Sequence, residues 1–254
     1  MRLTRVHVAG ALISGTIVEL PPDTAAHLAR VLRARSGDEL ILWSGDGREY
    51  LGAVESVRGS RVTASVGRGT DVDRESPFAT TLLQCVPRGD RMDFIVQKAT
   101  ELGVTRIIPV LSQRSVVRLD AAQVESKAAH WRAVAVNACE QCGRNRLPVI
   151  EAAMPLIAYL GASSDSGAQL RCARLVLEPD LEAAASPSIL EAGAAEIAIG
   201  PEGGFSGGEL EAFRIAGFVP IRLGPRVLRT ETAAIAALTW LQTRFGDMQA
   251  STVG

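Results

Sequence analysis

The spacing of apolar and polar positions changes near residue 72, which predicts two domains of different kinds. Before that point, apolar residues alternate with polar ones in short runs separated by Gly, Asp and Ser. This pattern is typical of β-strands joined by tight turns, so it predicts a small β-barrel. The expected strands span residues 2–8, 16–20, 39–42, 49–57 and 61–67.

One helix is expected among these strands, at residues 23–33. It begins at Asp23, directly after two prolines, and aspartate is a residue type that caps helix N-termini. Arg30 and Arg33 lie on this helix, where they are either a solvated face or contacts to phosphate groups.

The polar segment 71–77 ends in proline and separates the two patterns. Proline and short polar side chains favour turns and linkers over regular structure. We therefore place the domain boundary there, with one domain at residues 1–72 and a second at residues 73–254.

Beyond the linker, apolar runs of strand length alternate with stretches of helical periodicity. Strands are expected at residues 79–86, 106–111, 174–178, 196–200 and 218–223. Helices are expected at residues 90–102, 121–142 and 156–160 and near Ile189, and residues 161–169 form a Gly/Ser-rich loop. Strands that alternate with helices predict an α/β domain with a parallel sheet covered on both faces.

The stretch 196–242 carries the strongest local signals. An apolar strand runs into a Gly-rich turn, and Ser206 and Glu209 then form a capping box that starts the next helix. Thr230, Glu231 and Thr232 are expected to cap the last helix, 233–241. Because the carboxyl ends of parallel strands meet at one edge of a sheet, the loops that follow these strands face a typical ligand-binding edge.

Composition describes a globular chain with an uneven charge distribution. Of 254 residues, 47% are hydrophobic and 22% charged, and the net charge is −1. Residues 1–150 carry 20 Lys and Arg against 16 Asp and Glu, whereas residues 151–200 carry 2 against 7. The basic side is therefore the N-terminal half, and nearly all of its cations are arginines, which bind phosphate in a bidentate manner.

Sequence features that would indicate a membrane, secreted or metal-binding protein are missing. No apolar run reaches the roughly 18 residues of a membrane span, and the N-terminus does not resemble a signal peptide, so we expect a cytoplasmic protein. The four cysteines are too few for a disulfide framework, and no second ligand pair accompanies the CxxC. We expect reduced thiols and no metal at Cys85, Cys139, Cys142 and Cys172.

The Gly-rich loops do not match the common nucleotide-binding fingerprints. The chain has no GxxxxGK[ST] phosphate loop, and GPEGGF differs from the GxGxxG of dinucleotide-binding folds. Instead, IGPEGGF followed by LGPRVLRTETA is similar to the C-terminal signature of the SPOUT class of S-adenosylmethionine-dependent RNA methyltransferases. With ELGV, SQRSV and ACEQCGR upstream, the chain resembles the RsmE family, which methylates N3 of a uridine in small-subunit ribosomal RNA.

This resemblance implies a PUA-like β-barrel domain followed by a SPOUT methyltransferase domain with a C-terminal trefoil knot. It also implies that S-adenosylmethionine binds in three loops that each follow a strand. By position, the cofactor-binding residues are Leu177, Glu178, Gly200, Pro201, Glu202, Gly203, Gly204, Leu223, Gly224, Leu228, Arg229 and Thr230. Gly203→Val is expected to fill the space that the ligand needs.

Methylation at N3 of uridine requires loss of the imide proton, which indicates two catalytic candidates. Arg229 would stabilise negative charge on the uridine oxygens, and Glu231 would orient Arg229 or relay the proton. Glu231 as a simple helix cap is an equally good interpretation. The expected RNA-binding residues are Arg5, Arg30, Arg33, Arg88, Arg114, Arg144 and Arg226.

Two other functions stay open on the sequence. A SPOUT enzyme that methylates another position, such as a ribose 2′-oxygen, would share the cofactor loops. A non-catalytic RNA-binding factor for ribosome assembly would retain the fold but lose cofactor binding. The resemblance implies a homodimer that acts on small-subunit ribosomal RNA, and we expect its substrate to be an assembled 30S subunit.

Overall fold

The computed structural model describes residues 3–164, 172–180 and 193–249. The chain divides into two compact units, Met1–Glu75 with Val136–Leu147, and Ser76–Ala135 with Pro148–Gly254. The sequence placed the boundary after residue 72 and did not predict that a later segment belongs to the first unit.

The N-terminal unit contains the five predicted strands. They are β1 (Thr4–His7), β2 (Ile17–Glu19), β3 (Glu39–Trp43), β4 (Arg48–Arg58) and β5 (Arg61–Asp71). They form one sheet of order β1-β3-β4-β5-β2, in which β1 and β3 are parallel and the other pairs antiparallel. The alternating apolar residues fill its core, where Val6, Leu42 and Val62 are fully buried.

The predicted helix at residues 23–33 is shorter and irregular. Helix α1 (Pro22–His27) continues as a π-helical turn, Leu28–Leu32, and ends at Arg33 in the left-handed region with φ 51°. Asp23 lies inside the first turn and does not cap the helix, because Pro21 occupies the N-cap position.

Buried polar contacts join the segment Val136–Leu147 to the rest of the first unit. Arg5 Nη2 donates to Asn145 Oδ1 at 2.5 Å and to the Arg144 carbonyl at 3.1 Å. Nη1 of the same guanidinium pairs with Glu49. Arg144 Nη2 pairs in turn with Glu75 Oε2 at 2.5 Å.

The C-terminal unit is an α/β fold with an all-parallel sheet, as predicted. Its strands are β6 (Ala79–Cys85), β7 (Arg106–Leu111), β8 (Val149–Ile150), β9 (Met154–Pro155), β10 (Cys172–Leu177), β11 (Ala194–Ile199) and β12 (Val219–Ile221). The order is β12-β10-β11-β6-β7-β8, with β9 paired to β7. Strands β8 and β9 were not predicted, because two residues are too few to show a period.

The described residues of this unit contain five helices, of which α3 extends into the segment that belongs to the first unit. They are α2 (Arg91–Glu101), α3 (Ala121–Cys142), α4 (Leu156–Ser164), α5 (Gly207–Ile215) and α6 (Thr230–Phe245). One apolar layer, with Ile95, Trp131 and Leu238, joins α2, α3 and α6 to the sheet. A second layer, with Leu156 and Phe213, joins α4 and α5 to it.

The first part of the expected Gly/Ser-rich loop is helical. Residues 161–164 of the expected Gly/Ser-rich loop continue helix α4 instead, since Leu156 and Leu160 anchor it in the core. The rest of that loop and the helix near Ile189 lie outside the described residues. Within the described ranges, no helix combines the length and the apolar character that crossing a bilayer requires.

Candidate functional site

Three loops at the carboxyl edge of the parallel sheet enclose one cavity of about 440 Å³. They follow β10, β11 and β12, which are neighbours in the sheet and point the same way. This is the edge at which open α/β sheets bind ligands. The lining comprises Arg91, Leu177–Pro179, Ile199–Glu202, Gly204, Phe205, Arg222, Leu223, Arg226–Thr230 and Ala233.

Ten of the twelve predicted cofactor residues line this cavity. They are Leu177, Glu178, Gly200, Pro201, Glu202, Gly204, Leu223, Leu228, Arg229 and Thr230. Gly203 and Gly224 do not line it. The Gly203 carbonyl instead accepts a bond from Arg114 Nη1 at 2.9 Å, and the Gly224 carbonyl accepts one from Arg222 Nε at 2.9 Å.

The cavity combines apolar walls with closely approaching backbone, which fits an adenine ring and a methionine tail. Leu177, Leu223 and Leu228 contribute to the walls. A side chain on Gly200 would meet the Phe205 ring at 3.3 Å, and Gly204 has a φ of +67°, which L-residues rarely adopt. The residues present therefore fit S-adenosylmethionine at this position.

The Gly-rich loop is held by the predicted capping box. Ser206 Oγ accepts from the Glu209 amide at 3.3 Å, and Glu209 Oε2 accepts from the Ser206 amide at 2.8 Å. The buried Glu209 carboxylate also accepts a hydrogen bond from the backbone N–H of Gln113 at 2.7 Å. One carboxylate thereby fixes the start of α5 and the loop after β7.

Thr230 does not cap the last helix, contrary to the prediction. Arg229 is the N-cap residue of α6, and no side chain caps this helix. Thr230 is the first helical residue, and its hydroxyl donates to the Gly200 carbonyl at 2.8 Å while accepting from Gln84 Nε2 at 2.9 Å. The hydroxyl therefore connects two of the cavity loops.

Positive charge predominates around the cavity. Its lining contains four arginines, Arg91, Arg222, Arg226 and Arg229, and two glutamates, Glu178 and Glu202. Arg91 Nη1 pairs with Glu202 Oε1 at 2.6 Å, which joins the start of α2 to the Gly-rich loop. Such a surface suits an anionic substrate.

The two catalytic candidates differ in position. Arg229 is exposed and lines the cavity. Glu231 lies outside the lining, and its Oε2 is buried with no hydrogen-bond partner among the described residues. The structure therefore brings Arg229 to the cofactor cavity and leaves Glu231 beside it.

The predicted RNA-binding arginines fall into two groups. Arg30, Arg33, Arg88, Arg114 and Arg226 are exposed. Arg5 and Arg144 are buried at 7% and 4% exposure and are engaged by Glu49 and Glu75. These two are structural residues of the first unit, so the prediction that they contact phosphate groups is withdrawn.

Sequence reasoning missed the buried Gln84 behind the cavity and seven residues of its lining, which are Arg91, Pro179, Ile199, Phe205, Arg222, Val227 and Ala233. Gln84 is a buried amide within the apolar run of β6, and a polar residue at the end of such a strand was the available signal. Arg91 is the first residue of α2, just after the Gly89 turn. Neither Gln84 nor Arg91 belongs to one of the sequence motifs described above.

Two of the four cysteines, Cys85 and Cys139, are buried free thiols. Burial raises the pKa of Cys85 and of Cys139 to about 12. Both thiols are therefore poor nucleophiles at neutral pH. Within the described residues, no group of three or more His, Cys, Asp or Glu side chains could hold a metal ion.

Comparisons with known proteins agree with this geometry. Residues 74–242 match the RNA methyltransferase domain, and residues 20–67 match the RNA methyltransferase PUA domain. The ribosomal RNA small subunit methyltransferase E of Bacillus subtilis is 33% identical over 84% of both chains. That of Mycobacterium bovis is 32% identical over 89% of this chain and 86% of its own.

Two solved structures are similar over almost the whole chain. A methyltransferase from Legionella pneumophila with bound SAM is 35% identical, with a TM-score of 0.89 over 98% of this chain and 100% of that one. The ribosomal RNA small subunit methyltransferase E from Neisseria gonorrhoeae, bound to S-adenosyl methionine, is 33% identical, with a TM-score of 0.86 and the same coverage. The predicted fold class, a SPOUT methyltransferase domain after a PUA-like domain, is confirmed. The family match and these relatives show that the chain belongs to the ribosomal RNA small subunit methyltransferase E family.

Proposed function

We propose that this protein transfers a methyl group from S-adenosylmethionine to N3 of a specific uridine in small-subunit ribosomal RNA. The observation that carries the proposal is the cavity formed by the three strand-end loops, with ten of the predicted cofactor residues in its lining. Relatives of the same family are solved with S-adenosylmethionine, and they match this chain along its length.

The apolar walls of the cavity would take the adenine ring, and the backbone of the Gly-rich loop would read its polar edge. Gly200 and Gly204 leave room for this approach because neither carries a side chain. When bound, the cofactor supplies a methyl group already activated by the positive sulfonium. The protein therefore has to orient the uridine, exclude water and manage the charge on the base.

Arg229 is the proposed catalytic cation. As the N3 proton leaves, negative charge develops on the neighbouring uridine oxygens, and a guanidinium at the cavity wall stabilises that charge more in the transition state than in the ground state. Arg91 and Arg226 line the same cavity and add to the positive potential there.

The proton acceptor is the second part of the catalytic proposal. The sequence indicated Glu231, whereas Glu178 and Glu202 are the carboxylates that line the cavity. A general base needs hydrogen-bond reach of the proton it accepts. We therefore add Glu202 as a candidate base and keep Glu231, in the first turn of α6 beside Arg229, as the alternative.

The RNA partner is proposed to contact both units. Residues 1–72 would act as the RNA-binding domain through Arg30 and Arg33, and the second unit would contribute Arg88, Arg114 and Arg226, all of them exposed. We further propose a homodimer that acts in the cytoplasm on an assembled 30S subunit. Light scattering at micromolar concentration tests the dimer, and an active, strictly monomeric species would refute it.

Nucleoside mapping tests the reaction. Ribosomal RNA from cells with and without the protein should differ by one N3-methyluridine in the small-subunit RNA, measured by mass spectrometry. A missing ribose 2′-O-methyl group would instead identify another SPOUT target.

Calorimetry separates an enzyme from an RNA-binding assembly factor. The enzyme should bind S-adenosylmethionine and S-adenosylhomocysteine but not NAD. Tight NAD binding without a response to S-adenosylmethionine would contradict the assignment, and binding of none of the three would favour the assembly factor.

A further inference from the structure

Gln84 is a fully buried amide behind the cofactor cavity, and no motif had singled it out. It lies near the carboxyl end of β6, in register with Ile199 of β11, one residue before Gly200. Its Nε2 donates to the Thr230 hydroxyl at 2.9 Å and to the Cys85 carbonyl at 2.9 Å. The Thr230 hydroxyl in turn donates a hydrogen bond to the Gly200 carbonyl at 2.8 Å.

The chemistry of these partners fixes the orientation of the amide. A backbone carbonyl only accepts, so the group that faces Cys85 must be the NH₂. The same NH₂ then faces Thr230 Oγ1, whose hydroxyl proton is directed to Gly200. The donor chain therefore runs in one direction, from Gln84 through Thr230 to Gly200.

The oxygen of the Gln84 amide indicates that this side chain does more than stabilise the fold. Gln84 Oε1 is buried and has no hydrogen-bond partner among the described residues. An unsatisfied buried acceptor costs free energy, which an apolar side chain of similar size would avoid. Gln84 is therefore expected to serve a purpose other than filling the core.

We propose that Gln84 is a positioning residue for the methyltransferase reaction, which sets the distance between the Gly-rich loop and the start of α6 by orienting the Thr230 hydroxyl. Both loops line the cofactor cavity, through Gly200 on one side and Arg229 and Thr230 on the other. Gln84 itself lies outside the lining, so it acts through Thr230. The inference rests on the proposed function, because the distance matters only if the cavity binds S-adenosylmethionine.

Gln84→Met tests the role, since methionine keeps the length of the side chain and removes its donor. We expect S-adenosylmethionine to bind about fivefold to tenfold more weakly, the effect of losing one hydrogen bond. The melting temperature without ligand should stay within about 2 °C of the wild type, because the variant also removes the unsatisfied acceptor. A residue that only supports the fold would lower the melting temperature instead.

Thr80→Val is the matched control. Thr80 lies on the same strand and face, is fully buried, and its Oγ1 also lacks a hydrogen-bond partner within the described residues. Removing this hydroxyl breaks no hydrogen bond among the described residues, so cofactor affinity should equal that of the wild type. Equal weakening in Thr80→Val and Gln84→Met would assign the effect to strand β6 in general and overturn the proposal.

A double-mutant cycle with Thr230 completes the test. Thr230→Val removes the hydroxyl at similar size and should weaken cofactor binding as Gln84→Met does. The double variant should bind no more weakly than the weaker single variant. Additive losses, or wild-type affinity in Gln84→Met, would overturn the positioning role, while a wild type that does not bind S-adenosylmethionine would contradict the proposed function itself.

Discussion

Arg229 and Arg244 lie at opposite ends of helix α6, and only the first lines the cofactor cavity. Both are exposed cations on the same element, so they form a matched pair. Position at the cavity wall, rather than charge on the helix, is what the proposed mechanism requires of Arg229. This difference can be measured directly.

Arg229→Ala should slow methyl transfer about a hundredfold or more, the effect of removing one charge-stabilising contact. Cofactor and RNA affinities should change far less, because the contact strengthens only in the transition state. Single-turnover rates provide the measurement, and Arg244→Ala should keep the wild-type rate. Equal losses in the two variants would remove Arg229 from the catalytic step.

The carboxylates near Arg229 can be separated in the same assay. Glu202→Gln should reduce the rate at neutral pH more than Glu231→Gln, because Glu202 lines the cavity and Glu231 does not. The two variants should be compared across pH with saturating cofactor. A fully active Glu202→Gln beside an inactive Glu231→Gln would restore Glu231 as the proton acceptor.

Gly203 and Gly204 of the Gly-rich loop differ in backbone conformation and in position relative to the cavity. Gly204 lines the cavity at φ +67°, so Gly204→Val forces a β-branched residue into the left-handed region. Cofactor affinity should fall about tenfold or more, by the usual free-energy cost of that strain. Gly203→Ala is the control, because its Cβ would lie 3.5 Å from Arg114 Cβ, an ordinary contact. We therefore expect a side chain at Gly204, and not one at Gly203, to weaken cofactor binding. Equal calorimetric affinities of the two variants would contradict this prediction.

Strand β11 carries a carboxylate in the middle of an apolar element. Glu196 is buried, accepts from the Tyr159 hydroxyl at 2.5 Å and lies 3.6 Å from Arg174. Burial raises the pKa of Glu196 above its usual value of 4.5, and the hydroxyl and the arginine lower it by less. The folded state therefore favours the protonated carboxyl.

The stability contribution of Glu196 is thus present below pH 4.5 and is lost as pH rises through the higher folded pKa. Glu196→Gln lacks this titration, so its free energy of unfolding should gain on that of the wild type as pH rises from 4.5 through the higher folded pKa. Urea denaturation across pH measures the difference. Glu211→Gln is the control, because Arg214 lowers the pKa of the exposed Glu211 and gives a small trend of opposite sign. Parallel profiles for wild type and Glu196→Gln would contradict the assignment.

Most elements of the fold followed from the sequence, because apolar periodicity and end signals act locally. Helix α3 has the predicted bounds, and the Ser206–Glu209 capping box appears as expected. Contacts between distant segments were not predictable in this way. The Gln84–Thr230 bond joins residues 146 positions apart, and the pairing of Arg91 with Glu202 joins residues 111 apart.

The same limit explains which arginines were misassigned. In sequence, Arg144 resembles any loop cation between a helix and a proline. Only the folded chain brings Glu75 to it and buries the pair. Residues that line the cavity were easier to predict, because the Gly-rich loops are continuous segments with a distinctive sequence.

At the scale of the whole molecule, substitutions of the exposed and of the buried arginines should have different effects. The triple variant Arg30→Ala, Arg33→Ala and Arg114→Ala should bind RNA more weakly and with a smaller salt dependence, at unchanged cofactor affinity. Arg144→Ala should instead lower the melting temperature, because it leaves the mostly buried Glu75 without its partner. Filter binding over a salt series and thermal unfolding measure the two effects. An unaltered RNA affinity in the triple variant would mean that these arginines are only solvated charges.

The segment Val136–Leu147 also sets the order in which the protein can mature during translation. When the first 75 residues have left the ribosome, Arg5 and Glu49 still lack Asn145, the amide that completes their buried cluster. By the time Asn145 emerges, β6, β7 and α2 of the other unit have already been synthesised. An N-terminal domain usually completes its fold before the next domain is synthesised, and this chain therefore cannot follow that order. Its first domain is finished only after the second has begun.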